Sequence, residues 1–209
     1  MAFYRCMTNS GGGGGTSAAE IIEGTSSIVT DATKVKAQIF CQDSVLTSFD
    51  GPNVTEVGTQ AFRQTGSLAS LTLGALTKIE SYGFYQTGAT GETFDVALNN
   101  ATVAMQAFFG SKVRNVTGTW SSAGASCLRN CTQLKKVEFN LSAFPNDFLY
   151  GDTALEEIYL SNQGGVVTAS ANALNNVPNA CKVYVPAALV SSYQADTVWG
   201  RFDIQELAT

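Results

Sequence analysis

The sequence contains no histidine. That absence removes Ser-His-Asp and Cys-His catalysis, histidine-ligated zinc and histidine pH switches together. Charge is also scarce. Only 14% of the 209 residues are charged, well below the usual quarter, so Ser, Thr, Asn, Gln and Gly must cover much of the surface. Lys and Arg number 12 against 17 Asp and Glu, a formal charge of -5. This argues against a nucleic-acid partner, because phosphate contacts need clustered cations. No run of about 18 apolar residues occurs, so no membrane insertion is expected. The start, MAFYRCMTNSGGGGGT, lacks a charged stretch followed by an apolar run and reads as carrying no signal peptide.

Cysteine is sparse and unpaired in pattern: Cys6, Cys41, Cys127, Cys131 and Cys181, with no Cys-x-x-Cys. An odd count without that spacing argues against a disulfide framework or a zinc ribbon. Small buried side chains in a reducing compartment are expected instead. Five Asn-x-Ser/Thr sequons, at Asn53, Asn100, Asn115, Asn130 and Asn140, read as by-products of turns rich in Asn and Thr.

What is present is a core's worth of apolar residues, 44%, enough for one domain. The run Gly11 to Gly15 has no side chains to pack and reads as a flexible tether. Ahead of it, Phe3, Tyr4 and Met7 make an apolar tip too short for its own core. It is either a disordered start or a docking peptide that adds to a partner or to copies of itself. Residues 1–15 are thus read as an attachment peptide and linker, 16–50 as an N-terminal cap or partial repeat, 51–186 as a repeat array and 187–209 as a C-terminal cap.

The repeat is the strongest signal. Large apolar residues recur in one column, Phe62, Phe84, Phe108, Leu128, Phe148 and Leu174. Five residues before each stands Val57, Ile79, Val103, Ala123, Ala143 or Ala169. A small residue usually precedes the large one (Ala61, Gly83, Ala107, Cys127, Ala173), Asp147 being the exception. Each unit then closes in a short alternating run: Leu71/Leu73, Phe94/Val96, Val137/Phe139, Ile158/Leu160 and Val183/Val185. Val113 or Val116 is left to supply the remaining one. Alternation of period two predicts a strand with one buried face. One strand per unit, always at the same point, predicts parallel strands stacked by coiling, each unit covering its neighbour's apolar face.

These columns resemble the BspA-like leucine-rich repeats. Val54-Thr-Glu-Val57-Gly58-Thr-Gln-Ala61-Phe62 matches the first half of that family's unit, Cys131, Leu134, Val137 and Phe139 the second, and Val183-Tyr-Val185-Pro186 the strand-then-proline exit. The resemblance implies a β-rich α/β solenoid with short parallel strands, an N-terminal cap and a C-terminal helical cap. It also places Cys131 in a packing turn. Pro186 would start the closing helix, and Leu189, Val190, Tyr193, Trp199 and Phe202 would seal the last coil.

No catalytic constellation is visible. Glu156 and Glu157 are adjacent, and neighbours on a strand point to opposite faces, so they do not make a general acid–base pair. No enzyme activity, cofactor or metal is expected. Between the inward strand residues lie Thr72, Asp95, Glu138, Tyr159 and Tyr184, and off the core columns lie Tyr85, Phe109, Trp120 and Tyr150. Tyr159, Tyr184, Tyr85 and Trp120 are the candidate surface contacts, suited to sugar rings or to a protein. Packing between coils is the alternative for each. The combination of tether, tip and display rod is read as a bacteriophage virion protein (tail fibre, head fibre or decoration). Resemblance to phage-encoded proteins of this layout implies the same. Its expected partners are other virion proteins through Phe3, Tyr4 and Met7, and a host-surface glycan or protein through the array. A trimer is plausible and the location is the virion surface. The alternatives are a cellular protein–protein interaction module and a bacterial surface adhesin.

Overall fold

The computed structural model describes residues 25–162 and 164–208. Phe3, Tyr4, Met7 and the glycine run lie outside the described residues. In the first coils the chain makes two short strands per turn, not one. These are β1 (Ser27–Val29), β2 (Lys34–Val35), β3 (Ser48–Gly51), β4 (Glu56–Val57), β5 (Ser70–Leu73) and β6 (Leu76–Ile79). Strands β1, β3 and β5 stack in parallel register as one sheet, with Ile28, Phe49 and Leu71 aligned. Strands β2, β4 and β6 stack beside them, aligning Val35, Val57 and Ile79. The apolar residue five before each rung is therefore itself a strand residue, a second ladder that the single-strand reading passes over.

Two long strands follow, the first pairing with β6, while the β1–β3–β5 sheet ends at β5. β7 (Phe94–Val103) has 10 residues and β8 (Val113–Ala123) has 11. Each runs straight through the corner, so that both Val113 and Val116 lie in β8, paired with Phe94 and Val96. Val103 pairs with Ile79 on one side and Ala123 on the other. The register slips between Leu98 and Ala101, and Gly118 sits opposite Leu98 with φ +97. A Cβ there would lie 2.1 Å from the Leu98 carbonyl oxygen, so only glycine permits the approach. Beyond this point β9 (Lys136–Phe139), β10 (Glu157–Leu160) and β11 (Lys182–Val185) continue a single ladder.

The rungs fill the interior. Phe62 and Phe84 stack at 5.4 Å with planes 3° apart, and Phe84 and Phe108 at 5.2 Å and 4°. Phe40 joins the same stack, 5.2 Å from Phe62, so the first rung lies inside the segment read as a cap or partial repeat. Val35 and Phe40 are buried there, whereas Val29 is 74% exposed.

One rung is misassigned by spacing alone. The backbone N–H groups of Phe40, Phe62, Phe84 and Phe108 donate to Ala61, Gly83, Ala107 and Cys127, the residue before the next rung. By that rule Leu149, whose N–H donates to Ala173, is the rung before Leu174. Phe148 occupies the small-residue slot. It fits because Phe144, Phe139 and Trp120 surround it, at 4.6, 5.0 and 5.7 Å between ring centroids. The extra residue in this coil also turns Ala143 outward and Phe144 inward, and in the next coil Val167 is buried while Ala169 is only half-buried.

The turns around the rungs ahead of Leu174 are set by left-handed residues two before and two after, among them Gln60 and Gln64, Tyr82 and Gln86, Ser126 and Asn130. Non-glycine residues rarely adopt this conformation. Here amide ladders hold it, Gln42 to Gln64 and Gln64 to Gln86, each at 3.0 Å. Three residues after the five rungs from Phe62 to Leu149 runs a buried polar column, Thr65, Thr87, Ser111, Cys131 and Asp152. The Thr87 hydroxyl donates to the Phe62 carbonyl at 2.5 Å and the Cys131 thiol to that of Phe108 at 3.0 Å. Cys127, Cys131 and Cys181 are free thiols. Burial pushes all of them up, Cys181 to about 12, so they are protonated and unreactive.

The C-terminal end is sealed. A 3₁₀ turn (Ala187–Leu189) leads into α1 (Val190–Ala195), with Pro186 at the cap position ahead of the first turn. Tyr193, Trp199 and Phe202 are buried, while Leu189 and Val190 are half-buried. The Val167 peptide has no following coil to pair with, and the cap supplies its partners. Its N–H donates to the Tyr193 hydroxyl at 2.8 Å and its carbonyl accepts from the Trp199 indole at 2.7 Å. A last strand, β12 (Asp203–Glu206), then pairs with β11, an addition to the purely helical cap that the sequence predicts.

Candidate functional site: two outward ladders

Parallel in-register stacking repeats every outward side chain at the strand spacing, so the surface is made of ladders. On the sheet face of β9 to β12, Glu138, Tyr159, Tyr184 and Gln205 form one row, and Lys136, Glu157, Lys182 and Asp203 the next. Tyr159 and Tyr184 stack with centroids 4.5 Å apart and planes 17° apart. The Lys136 ammonium lies 4.2 Å from the Tyr159 ring centroid and pairs with Glu138 at 3.0 Å. The Tyr159 hydroxyl donates to Glu157 at 3.2 Å. Burial first, and then Glu157, pushes that phenol up to about 12. Both tyrosines point outward as alternation requires, but mutual stacking leaves them half-buried rather than free.

A second ladder lies on the turn edge, at the residue directly after each rung: Arg63, Tyr85, Phe109, Arg129 and Tyr150. Tyr85 and Phe109 stack at 5.1 Å and 14°. Arg63 lies 5.8 Å from the Tyr85 ring, and Arg129 lies 5.9 Å from Phe109 and 4.4 Å from Tyr150. Asp147 holds the Arg129 guanidinium at 2.7 Å. Each ring is thus capped by a neighbour, with cation–π pairs at the ends of the aromatic run. The two arginines were not among the sequence candidates; their fixed offset from the rung was the signal.

Trp120 belongs to neither ladder. It is 1% exposed, which corrects its assignment as a surface contact. Counting by twos along β8 from the inward Val116 reaches Gly118 and then Trp120, so alternation itself points it into the core. Past Val116, β8 has no strand partner in β9, and side chains replace one. Asn140 accepts the Trp120 N–H at 2.6 Å and donates to its carbonyl at 3.1 Å; Glu138 accepts the Gly118 N–H at 2.7 Å. The Trp120 indole donates to the Glu138 carbonyl at 2.6 Å.

The remaining outward residues behave as surface. Thr72 and Asp95 are exposed, and Arg114 grips Asp95 through both oxygens at 3.1 and 2.8 Å, holding its carboxyl below the usual range. Among the described residues no group of His, Cys, Asp and Glu is placed to hold a metal. An open depression beside β10 and β11 is lined by Lys135, Glu156, Glu157, Cys181 and Lys182. Glu156 there pairs with Lys135, and Cys181 is a neutral thiol. What the two ladders offer chemically is ring edges, hydroxyls and charged side-chain tips, because both faces of Tyr159, Tyr85 and Phe109 are taken. That geometry closes off stacking of a sugar ring on those three.

The architecture has a counterpart among solved structures. No curated protein matches the chain. A solved structure, the pneumococcal vaccine antigen PcpA, is similar at 17% identity with a TM-score of 0.56, over 88% of this chain and 42% of that one. A leucine-rich repeat protein from Bacteroides ovatus aligns at 16% identity with a TM-score of 0.37, over 85% of this chain and 67% of that one. The chain therefore spans less than half the length of the pneumococcal protein. The model of the BspA type leucine rich repeat region matches in 6 copies over residues 33–117 and 77–195. With most of its length so matched, this chain belongs to the BspA-type leucine-rich repeat family.

Proposed function

We propose that this protein is a non-enzymatic interaction scaffold whose sheet-face ladder binds a protein on a host-cell surface, and that it is displayed on a bacteriophage particle. A leucine-rich repeat solenoid suggests a protein-interaction or adhesin-like role. The observation that carries the finer reading is the Tyr159–Tyr184 stack framed by Lys136, Glu157 and Lys182. Tyrosine edges with alternating charge suit a polar protein partner, and the two occupied faces of Tyr159 weigh against a glycan stacked on that ring. Many weak copies on one particle would gain adhesion by avidity. The virion setting draws its support from the sequence: Phe3, Tyr4 and Met7 ahead of the glycine run make a mount, and a symmetric trimer would present several arrays together.

Two measurements test the two halves. Binding of the purified chain to host cells should fall at least tenfold in the double variant Tyr159→Ser, Tyr184→Ser and be kept in Tyr85→Ser; equal binding by all three rejects the sheet face. Deleting residues 1–15 should abolish incorporation into particles, and normal incorporation rejects the mount. A surface adhesin of a bacterial cell is the second reading, favoured by the likeness in fold to the pneumococcal antigen. Capsid or tail genes beside the coding gene decide for the first.

A further inference from the structure

The buried polar column ends in an acid. Among its earlier members Ser111 meets the Cys131 thiol at 3.7 Å, while three donate to carbonyls: Thr65 lies 3.0 Å from the Phe40 carbonyl, Thr87 2.5 Å from that of Phe62, and Cys131 3.0 Å from that of Phe108. Each reaches the rung of the preceding coil. By the same offset Asp152 stands three residues after its own rung, Leu149, and the rung of the preceding coil is Leu128. An ionised carboxylate only accepts hydrogen bonds. Oδ1 of Asp152 accepts the Cys131 N–H at 2.7 Å, but Oδ2 is buried with no partner. A sealed, half-satisfied anion is far costlier than the neutral acid.

We propose that Asp152 is held in the folded chain as the neutral carboxylic acid, its Oδ2–H donated to the Leu128 carbonyl, so that the stack carries a proton it must give up as pH rises. The titratable groups facing it are the thiols of Cys127 and Cys131 in the coil above, both kept neutral by burial. On its own turn Asp147 is engaged with Arg129, and Lys135 and Glu156 pair at the surface. The equivalent position in the next coil is Val177, which is apolar. Among the described residues no cation pairs with Asp152, and burial drives its carboxyl well above the ordinary 3.8. The folded state therefore holds a proton that the unfolded chain releases. The stabilisation is complete below the ordinary carboxylate range and is lost as pH climbs toward the folded value. The loss is about tenfold in the unfolding constant per pH unit.

Urea unfolding of the full chain and of Asp152→Asn between about pH 4 and about pH 8 tests this. The amide keeps both hydrogen bonds, its oxygen accepting and its N–H donating. The variant should match the parent at the acid end and exceed it by roughly tenfold more with each pH unit. A ratio that does not change with pH overturns the proposal, as does a variant weaker throughout. Should the variant fail to fold, the side-chain ¹³C carboxyl resonance of Asp152 in the parent protein decides. The protonated position near neutral pH supports the proposal, and the carboxylate position overturns it.

Discussion

Tyr184 covers the face of Tyr159 that Lys136 leaves open, so Tyr159 is sandwiched between a ring at 4.5 Å and an ammonium at 4.2 Å. Its phenol is raised to about 12 by burial and by the Glu157 carboxylate that accepts its hydrogen bond. Removing that negative charge favours the phenolate. Glu157→Gln should therefore lower the Tyr159 value toward the ordinary 10.0, visible as an earlier step in an ultraviolet titration of the tyrosines. An unchanged titration would detach the hydroxyl from Glu157.

The exposed flank of β8 is closed by Asn140 in place of a strand. Asn140→Ala leaves the Trp120 N–H and carbonyl without those partners, and should cost about 1–3 kcal/mol in chemical denaturation. Trp120→Phe loses the indole bond to Glu138 and part of the ring volume, a further cost of about 1–3 kcal/mol. Stability within experimental error of the parent in both would show that the flank needs no side-chain closure.

Gln64 adopts φ 56 and bridges Gln42 and Gln86. Gln64→Gly relieves the backbone while losing the amide ladder, and should leave the melting temperature nearly unchanged. Gln64→Val retains the unfavourable φ with a branched side chain and forfeits the ladder, at a cost of about 1–3 kcal/mol. The order of the two variants is the readout, and a glycine variant weaker than valine contradicts the account.

Phe84 stacks on Phe62 above and Phe108 below. Phe84→Ala should cost about 3–5 kcal/mol. Because coils contact mainly their neighbours, the loss should also divide the unfolding curve, the coils on either side of residue 84 melting separately. A single sharp transition at the parent midpoint would mean the rungs are not the source of cooperativity.

The rungs were legible because a stacked coil must bury the same position every turn, and Phe62, Phe84 and Phe108 obey that rule over any register. Outward Tyr159 and Tyr184 were legible for the same reason, since alternation fixes direction. Leu149 against Phe148 was not. Spacing tolerates an insertion of one residue, and only the backbone hydrogen bond to Ala173 says which side of it the rung lies. Trp120 was misread by residue type, although its strand phase already placed it inside.

By itself the sequence determined that this chain coils, and which face of each strand is buried, because periodic burial is written one residue at a time. Tertiary structure alone decided that β7 and β8 run on as long paired strands, that Arg63, Tyr85, Phe109, Arg129 and Tyr150 meet in one strip, and that Asp152 is sealed beneath Cys131. These depend on contacts between residues about twenty apart, whose register is set by the packing of whole coils and not by any local preference of the chain.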